Sequence, residues 1–175
     1  MTHLMKATLI VAALGLGACT NPDGLANNGA GNGIGTGNGA GTDPLITNPA
    51  LNPASPEYFK QTVGDRVLFT VDSSTLTPVG RSTLTAQASW LQANPEYAAI
   101  IEGHADEQGT REYNLALGAR RANAVSEFLI SQGIAGSRLR TLTYGKERPL
   151  EVCSQEACYA KNRRAVTVIS AGAGA

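Results

Sequence analysis

The sequence predicts an α+β fold, with helices packed as a second layer on a four-stranded sheet and a disordered tether ahead of it. Three observations lead there. Four short segments beyond Tyr58 are rich in apolar and β-branched residues, the composition of strands. Two longer stretches between them keep apolar residues at helical spacing and carry start and stop signals. Residues 19–57 hold almost nothing that a core could bury.

The elements follow in order. "DRVLFTV" (Asp65 to Val71) alternates and reads as the first strand. Thr77 and Pro78 form a cap followed by proline at the first helical position. Leu84, Ala88 and Leu91 then keep helical spacing until Asn94-Pro95 stops the helix. "AAIIEGH" (Ala98 to His104) is the second strand. A long helix runs from about Tyr113 to Gln132, with Gly133 where C-caps favour glycine. "LRTLTYG" (Leu139 to Gly145) is the third strand. After a loop with room for one helical turn, "RAVTVIS" (Arg164 to Ser170) is the fourth. The order is βαβαβ(α)β over residues 58–170, and residues 171–175 read as a frayed tail.

A chain of 175 residues with zero formal net charge suits one compact domain and offers no overall field for nucleic acid. Aromatic residues make up 5% of it, which argues against a stacking platform for single strands. At the start, Lys6 precedes an apolar run from Ala7 to Ala18. Such a run is too short to span a bilayer, which takes about 20 residues, and suits a secretory signal over residues 1–18. Met5 would serve as a start as well as Met1. The signal ends in "LGAC", which resembles the lipobox of bacterial lipoproteins, whose cysteine is lipidated; here that is Cys19. Thr20 after it implies, by the same likeness, the outer membrane. The Gly/Asn/Pro-rich stretch that follows has no fixed period and reads as a tether.

The stretch "GHADEQGT" (Gly103 to Thr110) brings an aspartate and a glutamate off an apolar strand beside a histidine. The long helix then carries Arg120 and Arg121. With Asn114 at zero and 100° per residue, Leu115, Ala119, Ala122, Val125 and Leu129 form an apolar stripe centred near about 80°. Arg120 lies nearly opposite, in solvent. Arg121 lies on the flank of the stripe, at the edge of the buried interface, where it can lean toward Asp106. A plain ion pair between those two stays open at this point.

Four segments, "EGHADEQGTREYN", "LGARRANAV", "YGKERP" and "YAKNRRAV", together resemble the OmpA-like peptidoglycan-binding domain of the peptidoglycan-associated lipoproteins (Pal). The likeness runs from about Val67 to Ile169 and implies a mixed sheet. It also implies binding of the peptidoglycan stem at meso-diaminopimelate, whose side chain ends in an ammonium and a carboxylate on one carbon. Asp106 matches the aspartate that takes the ammonium, and Arg121 the arginine that takes the carboxylate. Asp72 matches an aspartate near the end of the first strand; Asn114, Leu117 and Arg164 match further motif positions. One departure is "FTVD", where the family usually has "FGFD", so Val71 replaces an aromatic.

The likeness also implies an outer-membrane lipoprotein held by the acyl chains on Cys19. It would belong to the Tol-Pal system, with TolB and TolA as partners, and support envelope integrity and cell division without catalysis or a cofactor. Two unit charges about 4 Å apart attract by roughly 4 kcal/mol at an effective dielectric of 20, before desolvation. On this reading Asp106→Ala or Arg121→Ala abolishes wall binding while the fold survives. The alternatives are a wall-binding OmpA-like module outside Tol-Pal and a periplasmic hydrolase.

A metal site at His104, Asp106 and Glu107 would lack a fourth ligand, since the chain's other histidine, His3, falls in the signal. His104 reads instead as a structural hydrogen-bonding residue. Neighbouring Asp106 and Glu107 diverge and are a poor catalytic pair, and no nucleophile motif accompanies them. With Cys19 lipidated, Cys153 and Cys158 remain as a pair in one loop, read as a disulfide of an oxidising compartment worth about 2 kcal/mol. Half of a zinc site is the alternative. Of Arg163 and Arg164, one is expected in solvent and the other turned inward.

Overall fold

The computed structural model describes residues 48–171. The expected signal, Cys19, most of the tether and residues 172–175 lie outside the described residues. In chain order come a 3-10 turn (Pro49–Leu51), a helical turn α1 (Pro56–Tyr58) that widens into a π-helical turn (Phe59–Gly64), and β1 (Arg66–Leu68). Then follow α2 (Pro78–Ala93), β2 (Tyr97–His104), α3 (Arg111–Ser131), a second 3-10 turn (Gly136–Arg138), β3 (Leu139–Gly145), α4 (Glu156–Asn162) and β4 (Arg164–Ala171). The sheet order is β1-β4-β2-β3, with β2 and β3 parallel and β4 antiparallel to both of its neighbours. This is the mixed four-stranded sheet that the resemblance implies.

Local chemistry explains the helix boundaries. Thr77 Oγ1 accepts from Gly80 N at 3.0 Å, with Pro78 next, and starts α2. Thr110 does the same for Tyr113 N at 3.2 Å, which sets the start of α3 two residues earlier than the apolar spacing suggested. At its far end Gly133 takes φ +96°, while Ile134 N donates to Leu129 O and Gly133 N to Ile130 O. That is a Schellman closure, and it needs a residue free to adopt positive φ.

The core lies between the sheet and α2 and α3, around Leu84, Leu91, Ile101, Val125 and Leu129. It continues beneath the amino-terminal segment, where Trp90 lies 4.9 Å from the Phe59 ring and 5.4 Å from Tyr97. Trp90 Nε1 donates to Pro53 O at 2.7 Å, and Ser55 is buried. Residues 48–57, expected in the tether, therefore belong to the folded unit at least from Pro53. The tether reading missed this because the anchor is one long-range indole bond to an otherwise polar, proline-rich stretch.

The first strand is also shorter than its alternation predicts. After Leu68 one further bond, Phe69 N to Arg163 O at 2.9 Å, continues the ladder. The chain then turns at Asp72, whose φ is +53°.

The seat of α3 on β2 depends on two glycines. A Cβ at Gly103 would lie 1.9 Å from Gly118 O, and one at Gly118 would lie 2.4 Å from Thr143 Oγ1. The helix and strand backbones thus touch directly, which brings the first turns of α3 close over the end of β2.

Candidate functional site

The site forms where β2 ends. Ala105 N donates to Gly145 O at 2.8 Å, and the chain then leaves the sheet through the loop to α3. Asp106 Oδ1 accepts from Gln108 N at 3.2 Å, and Asn114 Nδ2 donates back to Gln108 O at 2.6 Å. Lys146 Nζ holds Gly109 O at 2.7 Å. A cavity of about 240 Å³ opens here, lined by Val71, Asp72, Asp106, Gln108, Gly109, Tyr113, Asn114 and Leu117. Four of the six residues singled out from the sequence share this lining: Asp72, Asp106, Asn114 and Leu117. Val71, the departure from the usual aromatic, is there as well, and Tyr113 supplies an aromatic wall that the sequence reading did not name. The Tyr113 hydroxyl donates to Asp72 Oδ1.

The two charges of greatest interest are not paired. Arg121 is 0% exposed, and its guanidinium donates to three backbone carbonyls. Nε donates to Ser73 O at 2.8 Å, Nη1 to His104 O at 2.8 Å and Nη2 to Thr70 O at 3.2 Å, with the Phe69 ring 5.2 Å away. The buried residues Asn114, Leu117, Gly118, Arg121, Ala122, Val125 and Leu129 place the buried face of α3 near about 15° on the wheel, not 80°. Arg121 is inside that face, and Leu115 and Ala119 are its flank. Burial, only partly offset by Asp106, lowers the Arg121 pKa to about 10, so it stays charged at neutral pH. Arg120 is exposed over Tyr113, as the wheel predicts.

Asp106 has a different partner. Arg163 Nη1 donates to Asp106 Oδ2 at 3.1 Å, and Nη2 donates to Glu156 Oε1 at the start of α4. Arg163 is 5% exposed. Burial alone would depress its pKa, but the hydrogen bonds to Glu156 and Asp106 outweigh it and raise the value.

Arg164 is 6% exposed and points the other way. It lines a cavity of about 530 Å³ together with Glu102 and His104, and donates to Asn162 O and Arg148 O. It does not join the lining formed by Asp106 and Asn114. The expectation that one of the two arginines lies in solvent fails, because β4 is an inner strand and both residues at its start are covered. Glu107 accepts from Asn162 Nδ2 at 2.6 Å and so braces the loop from outside. Cys153 and Cys158 form a disulfide, with Cα atoms 6.0 Å apart, ahead of and within α4.

A model of the OmpA family matches residues 68–163, the span that holds every residue of this cavity. The chain belongs to the OmpA family. Among curated members, the peptidoglycan-associated lipoprotein of Rhizobium meliloti (strain 1021) is 46% identical over 94% of this chain and 86% of its own length. That of Mesorhizobium japonicum is 54% identical over 71% of this chain and 74% of its own. The crystal structure of the peptidoglycan-associated lipoprotein from Burkholderia pseudomallei superposes with TM-score 0.62 at 35% identity, covering 70% of this chain and all of that one. The carboxy-terminal domain of Helicobacter pylori MotB shares the fold, with TM-score 0.58 at 22% identity.

In this OmpA-family domain His104 departs from its expected role. It is 2% exposed, its Nδ1 and Nε2 have no hydrogen-bond partner among the described residues, and its ring stacks on Tyr144. Glu102 Oε2 is 3.8 Å from Nε2, too far for a hydrogen bond. Burial first, then Arg164, Arg148 and Arg66, lower its pKa from 6.5 to about 4. The unfolded chain therefore takes up this proton more readily than the folded one. The His104 contribution to stability is complete above pH 6.5 and is lost as pH falls toward 4. Urea midpoints should decline across that window in the wild type and decline less in His104→Asn; equal slopes would remove His104 as the cause.

Proposed function

We propose that this chain is an outer-membrane lipoprotein whose cavity at Asp106 takes the meso-diaminopimelate of peptidoglycan stem peptides. In this role it ties the outer membrane to the wall. One observation carries the reading: two carboxylates, Asp72 and Asp106, face one small cavity with no cation among its lining residues. Such walls favour an ammonium group. Arg121 is not in that lining; it follows Leu117 by one turn of α3, and likeness to the family assigns it the ligand carboxylate. A guanidinium has five N–H donors, and three are held by carbonyls here, which leaves two for a ligand carboxylate. A stem with lysine in place of diaminopimelate lacks that carboxylate and should bind less well. Relatives that carry the name peptidoglycan-associated lipoprotein support the wall as ligand.

The deciding experiment is co-sedimentation with purified sacculi, using Asp106→Asn. This change keeps the oxygen that caps Gln108 N; it removes the acceptor of Arg163 Nη1, but Arg163 keeps Glu156. Some stability is lost with the Arg163–Asp106 pair, so retention is measured on protein that its urea transition shows to be folded, and it should fall by more than about tenfold. Wild-type-like sedimentation by the variant would refute the reading.

Membership of the Tol-Pal system, with TolB and TolA as partners and a part in division, belongs to the same proposal. It rests on likeness to the family. Pull-down with TolB separates it from a wall-binding module outside that system. Release of soluble fragments from sacculi would instead favour a hydrolase.

A further inference from the structure

Glu156 is the residue that the wall-binding reading leaves unexplained. Its side chain is 65% exposed, yet it makes two hydrogen bonds to a guanidinium that is almost wholly buried. Arg163 links it to Asp106. The three groups form a line from the protein surface to the wall of the cavity: Glu156, Arg163, Asp106.

Charge along this line decides what Asp106 can offer. With Arg163 alone, Asp106 would be half of a neutral pair, and a cationic ligand would compete with a buried guanidinium for the same oxygens. Glu156 brings a second negative charge, so the three groups together carry one net negative charge. It also takes two of the N–H groups that Arg163 would otherwise aim elsewhere. An exposed glutamate on a free loop would rarely stay there, because ordering its side chain costs entropy. Here the loop is closed on both sides. The Cys153–Cys158 bond spans Glu156, and the buried Asn162 side chain ties Leu150 N and Glu151 N to the end of α4.

We propose that Glu156, held by the disulfide loop, is a specificity-determining positioning residue that shares Arg163 and so frees Asp106 to receive an ammonium group. This rests on the wall-binding reading above. Removing the charge should weaken binding of ligands that bring an ammonium to Asp106 and leave other contacts untouched.

The test uses calorimetric titration of wild type and Glu156→Gln with two probes. One is a stem peptide bearing diaminopimelate, and the other is the same peptide with the side-chain ammonium acetylated. Glutamine keeps the size and one acceptor, and the disulfide keeps the loop. The variant should lose affinity for the free peptide by about three- to tenfold, as expected for a charge that acts without contact. It should bind the acetylated peptide as the wild type does. Equal losses for both peptides would mean that Glu156 only supports the loop, and no loss for either would mean that Arg163 needs no sharing; each result overturns the inference alone. Failure of the wild type to bind the free peptide would overturn the wall-binding reading and this inference together.

Discussion

Replacing Arg121 with alanine should destabilise the fold by on the order of 3–5 kcal/mol, enough to threaten folding of a domain this small. The side chain is 0% exposed and holds the carbonyls of Thr70, Ser73 and His104. Each buried carbonyl left without a partner costs about 1–3 kcal/mol, and partial entry of water keeps the sum below the simple total. The loop that follows β1 would lose its buried tie to α3, and the turn at Asp72, with φ at +53°, would be left with the Tyr113–Asp72 bond alone. Arg121→Lys should recover only part of the loss, since one ammonium cannot reach three divergent oxygens as a planar fork does. Urea denaturation with an unchanged m-value measures this; a midpoint within error of the wild type for Arg121→Ala would refute it. This outcome is the opposite of the sequence-based expectation that the fold survives the substitution, and the urea midpoint decides between them. Loss of wall binding by Arg121→Ala would not separate ligand contact from collapse of the cavity, which is why Asp106→Asn carries the functional test.

Gly103→Ala should be comparably damaging for a different reason. Its Cβ would lie 1.9 Å from Gly118 O and 2.6 Å from Gly118 C, both backbone atoms of α3 that cannot rotate away. The helix must lift from the sheet, which opens the contacts of Ala122 and Val125 with the core and moves Asn114, Leu117 and Arg121 away from the end of β2. Overpacking typically costs about 1–3 kcal/mol, and a clash of backbone against backbone belongs above that range. Thermal unfolding should show a drop of roughly 3–5 °C per kcal/mol lost for a folded unit of this size. Gly136→Ala, whose Cβ would meet only Ile130 Cδ1 at 3.7 Å, serves as the benign control. Equal melting temperatures for the two variants would show that the close approach is not needed.

The parts of the fold legible in the sequence are those written in local chemistry. Thr77 with Pro78, Gly133 after the long helix, and the run Leu139–Gly145 are each set by neighbours within a few residues, and the structure places them as read. The π-helical turn at Phe59–Gly64 and the anchoring of Pro53 by Trp90 were not legible. Both depend on a partner tens of residues away. The wheel for α3 erred for a related reason. It gave weight to Leu115 and Ala119 as apolar residues, whereas backbone contact at Gly118 turned the helix so that Asn114, Leu117 and Arg121 face inward.

The same division runs through the site. By itself the sequence determined which residue types gather at the end of β2, because a strand end, a capped helix start and a short acidic loop between them fix where Asp106 and Asn114 must lie. Only the tertiary structure decided which charges meet. Arg121 went to three carbonyls, Arg163 went to Asp106, and Arg164 crossed to the other face of the sheet. A buried guanidinium goes wherever unpaired oxygens remain after the ladders and helices have formed, and that remainder exists only once distant segments have packed.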